Sequence, residues 1–99
     1  GDLSASKVKQ YDTEVWFPTQ NAYRELSSAS CYHDFQTRRF NIRYSAGEEK
    51  RYVHSLNCTA VATPRIIAAL VENNQQADGS ILIPKVLQKY VGKEVITGK

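Results

Sequence analysis

Six side chains have the types and settings to do chemistry: Glu25, Ser27, Ser28, Asn57, Thr59 and Arg65. Arg65 follows Thr63 and Pro64, a pair suited to opening a helix, with Thr63 as the N-cap and Pro64 at the first helical position. A cation in that first turn meets the positive end of the helix macrodipole. This costs on the order of a few tenths of a kcal/mol unless an anion answers it. A phosphate would satisfy both the guanidinium and the free N–H groups of the helix end. The plainer alternative is a carboxylate partner or a solvent-facing side chain.

Glu25 lies in the polar run ELSS, beside Ser27 and Ser28. Carboxylate and hydroxyl oxygens are hard donors of the kind Mg²⁺ prefers, usually together with substrate phosphates. An ordinary edge-strand glutamate is the competing reading. Asn57 and Thr59 sit two apart, so a strand puts both on one face. They offer a carbonyl, an amide and a hydroxyl to a small polar ligand, or simply form a polar strand face. There is no Ser-His-Asp arrangement, glycine-rich phosphate loop or HExxH motif. Cys31 and Cys58 form no CxxC pair, which argues against zinc. One disulfide is open to them; two free thiols in a reducing compartment is the reading we favour. His33 and His54 stand apart from any acidic cluster with ligand spacing.

These residues need elements to position them. Tyr11–Phe17 alternates and is rich in aromatic and β-branched residues, so it reads as a strand stopped by Pro18. Tyr23–Ser30 follows at hairpin distance. Its alternation puts Glu25 and Ser27 on one face, Leu26 and Ser28 on the other. A short helical turn is expected over HDFQTRR, with Asp34 near its start, then a strand over Phe40–Tyr44. SAGEEK is a charged turn, and Arg51–Ala62 is a long strand pattern broken near Ser55. In the helix from Thr63, Ile66, Ile67, Leu70 and Val71 form the apolar stripe, and Asp78-Gly79 ends the segment. SILIP is a short strand; Lys85–Val91 is a helix ended by Gly92. Hairpin-length connections followed by helices predict an α+β fold, an antiparallel sheet with flanking helices.

Ninety-nine residues with 41% apolar and 23% charged side chains suit one globular domain or part of one. A chain this short buries roughly 60–65% of its surface, a thin margin for stability. The net charge of +3 is mild, with small basic clusters at Arg38–Arg39 and Lys50–Arg51. A dedicated RNA-binding module is disfavoured, because no aromatic platform is interleaved with a basic stripe. No stretch approaches the ~20 apolar residues of a membrane span. The chain has no methionine and begins Gly1-Asp2, which suggests a piece of a longer protein.

Taken in order, YDTEVWFPTQNAYRELSSAS, DFQTRRFNIRY, VHSLNCTAVATPR and ALVENNQQADGSILIPKVLQKYVG resemble the C-terminal end of the seryl-tRNA synthetases, over nearly the whole chain. The resemblance implies part of a class II aminoacyl-tRNA synthetase catalytic domain. Its parent would be an ATP- and Mg²⁺-dependent ligase of protein biosynthesis that makes seryl-adenylate and charges tRNA(Ser). On matching positions, Glu25, Leu26, Ser27, Ser28 and Arg65 would contact ATP, and Glu25 and Ser28 would hold the divalent ion. Ion-binding by both needs a bulge or strand end between them. Asn57 and Thr59 would contact serine; Arg65, matching the third class II motif, would act on the γ-phosphate as the catalytic arginine. Many bacterial members read Asn-Gly-Ser-Gly where this chain has Asn57-Cys58-Thr59-Ala60.

The tRNA-gripping N-terminal arm, the dimer-building first motif and the second motif with its α-phosphate arginine have no counterpart in these residues. The expectation is therefore a fragment of a homodimeric, cytoplasmic parent (or a mitochondrial or other organellar one), inactive in isolation. The alternative is a non-catalytic synthetase-like binding or structural protein.

Overall fold

The computed structural model describes residue 1 and residues 3–98. The chain divides into two compact units. One comprises Gly1–Glu14 and Glu25–Val61; the other comprises Val15–Arg24 and Ala62–Lys99.

Two long strands, β1 (Lys9–Phe17) and β2 (Ala22–Cys31), form a hairpin around a 3-10 turn over Pro18–Gln20. Pro18 supplies the fixed φ that opens the turn, and Asn21 closes it at φ 48°, in the left-handed region asparagine tolerates. β5 (Leu56–Cys58) adds antiparallel to β2 and completes a three-stranded sheet in the order β1-β2-β5. Between them lie α1 (Phe35–Phe40) and the hairpin of β3 (Arg43–Ala46) and β4 (Glu49–Tyr52). The predicted strand over Phe40–Tyr44 is thus displaced. Phe40 ends the helix, because Asn41 takes φ 53° and its N–H caps the carbonyls of Thr37 and Arg38. The expected turn is also tighter: Gly47 at φ 67° allows a two-residue connection, and its flanks join the strands.

The break near Ser55 is real. Ser55 N–H donates to the His33 carbonyl at 2.8 Å, and Tyr32 N–H donates to the Ser55 carbonyl at 3.1 Å. Thr37, 2% exposed, fixes α1 by donating its hydroxyl to the Val53 carbonyl at 2.6 Å. Among the described residues of this unit the buried side chains are polar, Ser30 and Thr37.

In the other unit, Phe17 and Ala69 are the buried apolar residues. α2 (Thr63–Asn74) starts one residue earlier than expected: Ala62 is the N-cap, and its carbonyl accepts the Ile66 N–H at 3.0 Å. The stripe also rotates. Ala69 is its most buried member, Leu70 and Val71 are half-buried, and Ile67 is 56% exposed. The helix stops at Asn74, before Asp78-Gly79, because Asn73 and Asn74 turn their amides back onto the Ala69 and Leu70 carbonyls, each at 2.8 Å. Asn73 also donates to the Trp16 carbonyl at 3.0 Å, and Glu72 accepts the Thr19 hydroxyl at 2.8 Å. β6 (Ile81–Leu82), α3 (Lys85–Val91) and β7 (Val95–Ile96) follow; β7, which pairs antiparallel with β6, has no signal in the sequence reading. The antiparallel pairing and the sparse helices agree with the α+β expectation, but the strands form three small sheets rather than one.

Candidate functional site

Of the predicted residues, Asn57 lies in the β2–β5 ladder, and Glu25–Ser28 precede its paired stretch on β2. The ladder's direct partners are Ala29 with Cys58, Ser30 with Asn57, and Cys31 with Leu56. Alternation then sorts the sheet into two faces. Ser28, Ser30 and Asn57 share one, and Thr59 follows just past the end of β5. Ala29, Cys31, Leu56 and Cys58 share the other. There, with Lys9 and Tyr11 of β1, they line a cavity of about 340 Å³. That cavity is largely apolar, so the polar face is the one with chemistry to offer. Both thiols are free.

On the polar face Ser30 is 4% exposed, whereas Asn57, and Thr59 beyond the strand end, present themselves to solvent. Ser28 is half-buried, and its Oγ is sealed from solvent without a hydrogen bond of good geometry. The hydroxyl nevertheless lies close to Asp12. Ser28 first, then Gln10, whose amide reaches both carboxylate oxygens at 3.0 Å, hold the Asp12 carboxyl below its ordinary range. The Ser28 hydroxyl thus faces Asp12, and its oxygen is a hard donor of the kind Mg²⁺ accepts. In that respect the site fits Mg²⁺.

Glu25 sits differently. β2 runs unbroken from Ala22 to Cys31, with no strand end between Glu25 and Ser28. Regular alternation sends Glu25 and Ser27 toward the face of Ala29. Burial does not follow that alternation, however: Glu25, Leu26, Ser27 and Ser28 are all half-buried. Glu25 has a polar partner of its own.

Arg65 belongs to the other unit, in the first turn of α2. It is exposed, no acidic residue stands in that turn, and no side chain caps the helix end. It too makes an interaction of its own. His33 and His54 stack at 4.8 Å between ring centroids, and no group of His, Cys, Asp and Glu that could hold a metal occurs among the described residues. Asp12 and Ser30 are neighbours of the site that sequence reasoning did not single out. The short turn after Phe17 was the available signal, because it folds Asp12 back toward the ELSS stretch.

Comparison with known proteins decides the family. The family model for the tRNA synthetase class II core domain (G, H, P, S and T) matches residues 1–74. The chain belongs to the class II tRNA synthetase core family. A serine--tRNA ligase of Mycoplasmoides gallisepticum is 54% identical over 98 residues, covering 97% of this chain and 23% of that protein. Seryl-tRNA synthetase from Pyrococcus horikoshii, solved in complex with ATP, superposes with a TM-score of 0.94 at 50% identity, over 100% of this chain and 23% of that one. The cytoplasmic serine-tRNA ligase of Naegleria fowleri, solved with AMP, gives 0.88 at 42% identity, over 100% of this chain and 24% of that one. This class II core segment therefore spans about 23% of the length of the relatives it matches. Among the described residues no helix is long and apolar enough to cross a membrane.

Proposed function

We propose that the chain is the C-terminal part of the catalytic domain of a serine--tRNA ligase, which activates serine with ATP and transfers it to tRNA(Ser). The observation that carries this reading is the 0.94 superposition, over 100% of the chain, on a seryl-tRNA synthetase complexed with ATP. The large exposed apolar residues, Leu56 at 83% and Phe40 at 76% among them, support a segment that packs within a larger domain.

In this reading the serine carboxylate attacks the α-phosphate of ATP and pyrophosphate leaves. A ribose hydroxyl at the tRNA 3′ end then attacks the activated carbonyl, and AMP leaves. No covalent enzyme intermediate is required, so catalysis consists of alignment and charge stabilisation. Asn57, exposed on the polar sheet face, and Thr59, exposed just past the end of β5, bind serine. Glu25, Leu26, Ser27 and Ser28 form the nucleotide-contacting edge. Arg65 holds the γ-phosphate, whose charge also suits the uncapped end of α2.

Glu25 and Ser28 would hold Mg²⁺; when bound, it would neutralise phosphate charge. The Ser28 hydroxyl beside the Asp12 carboxylate supports its half of that pair. A homodimeric parent working in the cytoplasm completes the reading. Transfer of labelled serine to tRNA(Ser) by the full-length gene product tests it, and failure to charge tRNA with serine would overturn it. The 99 residues alone are expected to charge nothing.

A further inference from the structure

Folding brings together cations and aromatics that the linear sequence keeps apart. In the β3–β4 ladder Arg43 pairs with Tyr52, Tyr44 with Arg51, and Ser45 with Lys50. Alternation places Arg43, Ser45, Lys50 and Tyr52 on one face. The carboxylate of this hairpin that forms an ion pair, Glu49, is on the other, bound to Arg51 at 2.9 Å.

Tyr52 organises the cationic face. The guanidinium of Arg43 stacks over its ring at 4.5 Å and donates to its hydroxyl at 2.6 Å, and Arg38 of α1 stacks over the same ring at 4.7 Å. A stacked guanidinium keeps N–H donors in its plane, the geometry that grips phosphate. Arg38 already has Asp34, at 2.7 Å. Neither Arg43 nor Lys50 pairs with a carboxylate among the described residues.

Asn41, Arg43, Tyr44, Ser45 and Lys50 line a polar recess of about 450 Å³. It offers amide and hydroxyl donors, two cations, and an aromatic ring. Arg43 and Lys50 are diagonal neighbours, roughly 7–8 Å apart at the backbone. That spread suits successive phosphates along a strand better than a single ion. A basic recess beside an exposed aromatic is the pattern of a surface that follows a nucleic-acid backbone.

We propose that this recess on β3 and β4 contacts the phosphate backbone of an RNA chain. The choice of RNA rests on the ligase reading above; the cationic geometry does not.

The test uses the full-length gene product with Lys50→Gln, Lys50→Arg and Arg43→Gln. Affinity for a labelled tRNA transcript is titrated at several salt concentrations, and serine-dependent ATP–pyrophosphate exchange is assayed in parallel. Each Gln variant should bind RNA about fivefold to tenfold more weakly and lower the log–log salt slope by about 1. Lys50→Arg should restore binding, and exchange should stay within about twofold, which shows the variants are folded. Unchanged RNA affinity and salt slope would overturn the proposal. So would a loss confined to binding of phosphatidylserine vesicles. Weaker RNA binding in an enzyme that shows no exchange would uphold this contact and count against the ligase reading.

Discussion

Asn57 on β5 is the direct ladder partner of Ser30 on β2. One of the pair is buried and the other exposed, so the ladder anchors its inner member and leaves the Asn57 amide outward. Thr59, two residues on, is exposed and lies just past the end of β5. Of the proposed serine-binding pair, Asn57 is therefore set by strand pairing, and Thr59 follows just past the end of β5.

Thr59→Val in the full-length protein should raise the serine KM and lower kcat/KM about 10- to 100-fold, the effect of removing a hydroxyl that a polar ligand uses. ATP KM should change little. Steady-state exchange kinetics at varied serine measure this, and unchanged serine parameters would remove Thr59 from the site.

Arg65→Ala should act on the other substrate. The ATP KM should rise by about tenfold or more, with serine binding nearly preserved. Equal losses toward both substrates would show that Arg65 supports the fold instead.

Asn73→Ala removes two hydrogen bonds, one that ties α2 to the Trp16 carbonyl near the tip of the β1–β2 hairpin and one to the Ala69 carbonyl within α2. At roughly 0.5–1.5 kcal/mol each, the loss should lower the melting temperature by several degrees. Thermal unfolding followed by circular dichroism checks it.

Asp78 gives a prediction in pH. The Ser80 hydroxyl, at 2.6 Å, and then the Ser80 N–H, at 2.9 Å, hold its carboxyl below the ordinary range. Its contribution to stability is present above the ordinary aspartate value of about 3.9 and is lost as pH falls through the lowered one. Asp78→Asn should flatten the acid side of the stability curve, below about pH 4. Urea unfolding across that range reads the effect.

Local patterns foretold much of this. The alternation of Tyr11–Phe17 and Tyr23–Ser30 predicts the hairpin, and Gly92 marks the end of α3, because those signals depend on neighbouring residues alone. What failed depends on distant partners or on asparagine. Asn41 closes α1 where a strand was expected to begin, and Asn73–Asn74 close α2 before the expected Asp78-Gly79. Val95–Ile96 becomes a strand only because Ile81–Leu82 is there to pair with it. The site residues were named from resemblance to a family; spacing alone could not choose between Glu25 as a ligand and Glu25 as a strand-edge charge. The recess around Arg43 and Lys50 exists only after β3 and β4 pair, so no linear reading could find it.

Serine-dependent ATP–pyrophosphate exchange by the purified full-length gene product tests the central claim most directly. The account predicts exchange that requires both serine and Mg²⁺ and is not supported by other amino acids. Absence of exchange with an otherwise folded protein, or exchange driven equally by another amino acid, would contradict it.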